Sequence, residues 1–181
     1  MQHLLFIGIL CFVVSCTVQH AQMPLEESDC VEIGIETPTS LCWAYRFDYE
    51  SNYYLNEVFL LKDGRRIEAV GMGDGAEIND MVVSPSRMYA AVEEDGGEGH
   101  PYLSIMTLEE VRQGKEPRYT AGYDPYPGSL WELRWQGDTL IFSTDRDVET
   151  ETGDVNSYEI IWSLDPETGK LEQVGEPRPL Q

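Results

Sequence analysis

The chain has 181 residues, of which 33 are acidic and 12 are lysine or arginine, so its formal net charge at neutral pH is −21. A nucleic-acid-binding protein needs clustered cations to displace the counterions of its ligand, so this balance argues against nucleic acid as a partner. All of the charged residues follow residue 22, which leaves about 160 residues for one acidic domain with its own core.

The first predicted element is an apolar segment of the kind that directs export. Residues 4–14 are all apolar or glycine. That length is typical of a secretory signal and well short of the roughly 20 residues that span a bilayer. Residues 1–22 are therefore predicted to be a signal with a short tether, and residues 23–181 a single β-rich domain.

The end of this segment, Val13-Val14-Ser15-Cys16, resembles the lipobox of bacterial lipoproteins, in which a small residue precedes the cysteine that receives lipid. The resemblance implies a lipid on Cys16 as the only membrane contact, and a place in the outer membrane or the periplasm. The first three residues include no lysine or arginine. The alternative is a secreted protein whose signal is cut near Ala21.

Two cysteines remain in the predicted domain, because Cys11 lies in the removed segment and Cys16 at its end. In an oxidising compartment the remaining pair, Cys30 and Cys42, favours a disulfide worth about 3 kcal/mol in the chain-entropy model. The alternative is two unpaired, buried thiols beside a hairpin. Neither cysteine has a histidine or a further cysteine nearby, so no metal site is predicted there.

From Val31 onward, short apolar runs of period two alternate with Gly, Pro, Asp and Asn, a pattern typical of an all-β protein. One short helix is predicted from residue 107, where Thr107 and Glu110 form a capping box. Strands are predicted at residues 31–36, 41–49, 56–61, 66–71, 78–84, 88–93, 102–106, 118–122, 129–136, 139–144, 157–165 and 170–175.

These strands form three groups of four, and the groups repeat. The fourth strands align at Ile67, Tyr119 and Leu171, each 52 residues after the last. A fixed spacing of this kind indicates an internal repeat of one supersecondary unit.

The repeats resemble β-propeller blades of the TolB and WD40-like families, in which Ser-Pro-Asp-Gly follows the first strand and Asp-x-x-Thr-Gly precedes the fourth. The matching residues here are Ser84-Pro85-Ser86-Arg87 and Asp165-Pro166-Glu167-Thr168-Gly169. The resemblance implies three four-stranded antiparallel units in a propeller-like array. Because known propellers close with about four to eight blades, two copies could complete a six-bladed ring as a homodimer. The alternative fold is a β-sandwich or a barrel-like domain.

The domain offers few residues for catalysis. His100 is its only histidine, in a loop-like setting, and no nucleophile elbow, zinc-protease pair or phosphate-binding loop occurs. No catalytic or cofactor-binding residue is therefore predicted. Two acidic stretches, residues 93–98 and 145–154, could offer oxygen ligands to calcium. The second lacks the glycine and glutamate of an EF-hand, so solvated loops are favoured and no metal ligand is predicted.

Aromatic residues are concentrated between Tyr119 and Trp135. By strand parity, Trp131, Leu133 and Trp135 share one face and are predicted to pack in the core. Tyr123 and Tyr126 lie in a proline-stiffened loop, and we expect them to contact a protein or glycan partner.

The function expected from these features is that of a non-catalytic extracytoplasmic binding or assembly module. The first alternative is an inhibitor of a cationic extracellular enzyme, such as a lysozyme or a protease, which an acidic surface would attract. The second is a small hydrolase that uses a pair of carboxylates.

Overall fold

The computed structural model describes residues 28–48, 53–68, 77–95 and 100–180. The predicted signal segment, with Cys16 and Ala21, lies outside these residues, as does the end of the first acidic stretch. Within the described part of the chain, no helix is long and apolar enough to cross a membrane.

Three antiparallel sheets follow one another along the chain, and the first four strands of each sheet are paired in sequence order. The first sheet contains β1 (Ser28–Glu32), β2 (Thr39–Asp48), β3 (Tyr53–Lys62) and β4 (Arg65–Glu68). The second contains β5 (Glu77–Val83), β6 (Tyr89–Asp95), β7 (Pro101–Thr107) and β8 (Tyr119–Tyr123), with α1 (Leu108–Arg112) between its last two strands. The third contains β9 (Leu130–Gln136), β10 (Thr139–Glu149), β11 (Val155–Leu164) and β12 (Leu171–Gln173), and β13 (Arg178–Pro179) also pairs with β11.

The predicted array of three four-stranded units is therefore confirmed, and the sheets are open rather than closed into a barrel. The first strands β1, β5 and β9 of successive sheets lie beside one another. That arrangement is typical of propeller blades, whose sheets surround a common axis.

The outer edge of the third sheet is longer than the sequence predicted. After β12 ends, the Val174 amide still donates to the Ile161 carbonyl at 2.7 Å, and the Leu180 amide donates to the Ser157 carbonyl at 2.9 Å. Between them the chain turns at Gly175, whose φ is +78°. Because glycine and proline in this stretch are turn signals, the pattern predicted an end to the strand where the chain only bends.

Two hydrophobic cores lie between the three sheets. The first joins the first and second sheets, and the second joins the second and third. Strand β6 contributes side chains to both cores, because successive side chains of a strand point to opposite faces. Ala90 and Val92 belong to the first core, and Ala91 to the second. The middle sheet is thus covered on both faces, which explains the unbroken apolar run in this strand.

The two ends of the array differ in structure: one has contacts between sheets, and the other has a cleft. We call the end at which β6, β8 and β10 finish the upper end, and the opposite end the lower end. The lower ends of the first two sheets meet, since Arg112 Nε donates to the Ile33 carbonyl at 2.8 Å. The upper ends of the second and third sheets enclose a cleft.

Candidate functional site

A cleft of about 460 Å³ opens at the upper end, between the second and third sheets. We call it the upper cleft. Its walls come from the end of β8, the connection from β8 to β9, and the upper parts of β10 and β11. The lining residues are Tyr123, Pro125, Tyr126, Pro127, Gly128, Thr144, Asp145, Arg146, Asp147, Ile160, Trp162 and Gln173.

The floor of the upper cleft is aromatic and fixed by contacts between the two sheets. The Tyr123 ring lies 5.3 Å from the Phe142 ring and 5.8 Å from the Trp162 ring, centroid to centroid. Trp162 Nε1 donates to Thr144 Oγ1 at 2.9 Å, which holds the indole in place. Burial raises the pKa of the Tyr123 phenol, while a hydrogen bond with Thr144 opposes the shift. The phenol therefore stays neutral at physiological pH and keeps its O–H donor.

The mouth of the cleft is formed by the connection from β8 to β9. Asp124 Oδ1 accepts a hydrogen bond from the Tyr126 amide at 2.9 Å, and the Gly128 amide donates to the Pro125 carbonyl at 2.8 Å. The peptide bond between Tyr126 and Pro127 is cis. Tyr126 is 60% exposed, and its ring centroid lies 4.3 Å from that of His100.

The two residues predicted to contact a partner thus lie in one cleft, Tyr123 on the floor and Tyr126 at the mouth. His100, predicted to be an exposed loop residue, is exposed and supports the Tyr126 ring. Sequence reasoning missed Trp162 and Thr144 as cleft residues. Both come from the third sheet, and no local pattern shows which loop of the second sheet they will face.

The edge of β10 closes one side of the cleft with Asp145, Arg146 and Asp147. Because side chains alternate between the two faces of a strand, Arg146 shares the face of Thr144, and the two carboxylates lie on the opposite face. Asp145 Oδ1 accepts a hydrogen bond from the Ser129 amide, which ties the connection to the strand. Asp147 Oδ1 accepts one from Ser157 Oγ at 2.5 Å. A side chain at Gly128 would place its Cβ 2.5 Å from the Asp145 carbonyl oxygen, so glycine is required for this approach. The second acidic stretch is therefore part of the cleft wall as well as of a hairpin.

The prediction that Trp131, Leu133 and Trp135 share one face of β9 is wrong. Glu132 has a φ of +57°, and the pairing between β9 and β10 shifts at this point. Trp131 pairs with Ser143, whereas Trp135 pairs with Leu140. Ser143 and Leu140 point to opposite faces of β10. The two tryptophans that pair with them therefore also lie on opposite faces of the sheet. This β-bulge sends Trp131 to the outer face of the third sheet.

The other two residues pack as expected. Leu133 and Trp135 lie against the second core, and Trp135 Nε1 donates to the Val82 carbonyl at 3.0 Å. Neither lines the cleft, so their role is structural.

The cysteines lie away from the cleft. Cys30 and Cys42 form a disulfide between directly paired positions of β1 and β2. The alternative of two unpaired thiols is therefore not what the structure has. A disulfide is consistent with an oxidising, extracytoplasmic compartment.

The acidic stretches are arranged as strand ends and a hairpin. Residues 93–95 finish β6, and residues 145–154 run from β10 through a turn in which the Thr150 amide donates to the Asp154 carbonyl at 2.7 Å. Among the described residues, no group of three or more His, Cys, Asp or Glu side chains could hold a metal ion.

The chain matches no family model, no curated protein and no solved structure.

Proposed function

We propose that the protein is a non-catalytic extracytoplasmic binding module that holds its partner in the upper cleft. The observation that carries this proposal is the convergence on one cleft of Tyr123 and Trp162, from two separate sheets, and of Tyr126, from the connection between them. Rigid aromatic side chains give a large contact area at a small cost in conformational entropy. The volume of about 460 Å³ lies within the range of ligand-binding pockets.

The proposal includes the place of the protein in the cell. A lipid on Cys16 would hold the domain at a bacterial outer membrane, or a cleaved signal would release it to the periplasm or the medium. The disulfide supports the coarser part of this proposal, an extracytoplasmic compartment. We also propose that the three sheets are degenerate blades of the TolB and WD40-like kind. The support for this is their consecutive order and the turn of residues 84–88 after the first strand of the second sheet.

The binding proposal is tested by nuclear magnetic resonance with two small panels, amino-acid amides and neutral monosaccharides. We expect compounds of one panel to shift backbone amide signals of the cleft residues. Tyr126→Ala should abolish the shifts, because it removes the exposed ring at the mouth.

The matched control is Tyr119→Ala, which removes a tyrosine that is 46% exposed in β8, the strand before this connection, and that lies outside the cleft lining. It should leave the shifts unchanged. The proposal is overturned if neither panel shifts the cleft signals, or if the two variants behave alike.

A second candidate is inhibition of a cationic extracellular enzyme, such as a lysozyme or a protease, which the net charge of −21 favours. Excess protein should then slow a lysozyme or a basic protease at low ionic strength, and less so at high ionic strength. An unchanged turnover rate at both would contradict it.

A further inference from the structure

One charged side chain shares the face of the aromatic floor in the upper cleft, and it is a cation. In the regular pairing of β10 with β11, Thr144 lies opposite Ile160 and Arg146 lies opposite Tyr158. Because successive side chains of a strand alternate between its faces, Arg146 points to the same side as Thr144 and Trp162. The cleft therefore presents a guanidinium group beside its aromatic rings.

The acidic residues on either side of this arginine do not neutralise it. Asp145 and Asp147 lie on the opposite face of β10, where they accept hydrogen bonds from the Ser129 amide and from Ser157 Oγ. Within the described part of the chain, Arg146 forms no ion pair. A guanidinium group has five donors and no acceptor, so this one can receive an anion from outside the protein.

The surroundings of the guanidinium group are apolar or aromatic. Tyr123 and Trp162 form the floor, and Ile160 beside them is 6% exposed. The Tyr123 phenol, whose pKa is raised by burial, stays neutral and adds no negative charge to the floor. An arginine binds a carboxylate through two parallel hydrogen bonds. A ligand that uses both features has a carboxylate group attached close to an apolar or aromatic group.

The acidic surface around the cleft restricts this ligand further. Residues 93–95, 124–128 and 145–154, at the upper end, contain nine acidic residues and one cation. Their field repels a polyanion, such as a polysaccharide with a carboxylate on every sugar. A single carboxylate in contact with Arg146 interacts mainly with that group, because charges farther away are screened over about 8 Å at physiological ionic strength. The end of a polypeptide has one such carboxylate, and its last side chain is attached to the neighbouring carbon atom.

We infer that the upper cleft binds the carboxyl-terminal residue of another polypeptide, with its carboxylate on Arg146 and an apolar side chain on the aromatic floor. This inference rests on the proposed binding function and names its ligand class. It also gives Arg146 a role that the aromatic residues alone do not require.

The test is titration of the full chain with N-acetylated Gly-Gly-Phe that has a free carboxyl end, compared with the same peptide as its amide. Calorimetry measures the affinity, and backbone amide shifts show where each peptide binds. We expect both peptides to bind at the cleft, and the free acid to bind about tenfold more tightly, since a hydrogen bond to a charged group is worth at least this factor.

Two further probes separate the parts of the ligand. N-acetylated Gly-Gly-Gly acid has the carboxylate without an apolar side chain, and methyl glucuronide is an acidic sugar. Each should bind more weakly than the phenylalanine acid, because neither places an apolar group on the floor next to its carboxylate.

Arg146→Gln should remove the preference for the acid. The affinity of the acid should fall about tenfold, and that of the amide should stay within about twofold. Damage to the cleft would weaken both peptides, so the difference between them isolates the charged contact. Arg146→Lys should keep only part of the preference, because a lysine ammonium lacks the planar fork that fits both carboxylate oxygens.

The matched control is Arg178→Gln. It makes the same charge change in the same sheet, in β13 opposite Glu159 and outside the cleft lining. The preference for the acid should remain intact. If the glutamine variants at 146 and 178 reduce it equally, the preference reflects the net charge of the molecule, and the assignment to the cleft is overturned.

The remaining outcomes separate this inference from the proposed function. If acid and amide bind at the cleft equally tightly, the cleft is a binding site and the carboxylate ligand is wrong. If the glucuronide binds more tightly than the peptides, the ligand is an acidic sugar. If the glycine acid equals the phenylalanine acid, the floor takes no part in recognition, and the inferred ligand is again wrong. If none of the four probes shifts the cleft signals, this inference falls, and the proposed function is decided by its own two panels.

Discussion

Two arginine side chains of the second sheet hold the first sheet through backbone carbonyl groups. Arg112 donates to the Ile33 carbonyl at 2.8 Å and also to the Arg87 carbonyl. Arg87 in turn donates to the Gly34 carbonyl. Ile33 is 0% exposed, so water cannot replace the arginine as a donor. Because an unsatisfied buried acceptor costs more than the net gain of a formed hydrogen bond, this link should contribute measurably to stability.

Arg112→Ala is therefore expected to lower the free energy of unfolding by about 1–3 kcal/mol, the cost of a buried carbonyl that loses its donor. The control is Arg134→Ala, which removes an exposed arginine whose ion pair with Glu132 lies on the surface. An exposed pair contributes about 1 kcal/mol or less. Denaturant unfolding of both variants measures the difference, and equal losses would show that the carbonyl contacts do not stabilise the interface.

Arg87 occupies the last position of the turn that resembles Ser-Pro-Asp-Gly. The Ser-Pro-Asp-Gly turn of propeller repeats ends in glycine, and here Arg87 adopts a φ of +58°. The backbone thus keeps the left-handed conformation although the residue type has changed. A left-handed conformation costs roughly 1–2 kcal/mol for a residue with a Cβ, and the Arg87 side chain also donates to the Gly34 carbonyl of the neighbouring sheet.

At the scale of single elements, the β-bulge at Glu132 decides which tryptophan belongs to the core. If the strand were regular, Trp131 and Trp135 would share a face and contribute equally to the free energy of unfolding. With the bulge, Trp135 packs on the second core and donates to the Val82 carbonyl, whereas Trp131 lies on the outer face.

Trp135→Ala is thus expected to cost about 3 kcal/mol of unfolding free energy, and Trp131→Ala about 1 kcal/mol or less. Thermal or denaturant unfolding of the two variants provides the measurement. Similar losses would mean that both indoles are buried alike and that the strand carries no bulge in solution.

The sequence predicted the strands and their grouping well because those signals are local. Alternating apolar residues fix a strand, and turn residues such as Asp63 and Gly64 fix its end. The bulge was missed because a glutamate with positive φ leaves no trace in the pattern of apolar residues. The cleft was predicted only in part. Tyr123 and Tyr126 stand out as aromatic loop residues, but Trp162 reaches them only through packing between sheets, which period-two patterns do not specify.

At the scale of the whole molecule, the three sheets form an open array in which the first and the third each pack against the second. The middle sheet therefore stabilises each of its neighbours through a separate hydrophobic core. In stacked arrays of this kind, stability is close to a sum of the units and of the interfaces between them. Local opening of one end sheet should then be separable from opening of the other.

Adjacent residues of β7 allow this to be tested with a matched pair of variants. Met106 is fully buried in the first core and Ile105 in the second, and each is 0% exposed. Truncation of either to alanine should cost about 2–5 kcal/mol. Met106→Ala should lower the hydrogen-exchange protection of β2 and β3 while β10 and β11 keep theirs, and Ile105→Ala should do the reverse. If both variants reduce protection equally in all three sheets, the molecule unfolds as one unit, and the end sheets depend on contacts beyond these two cores.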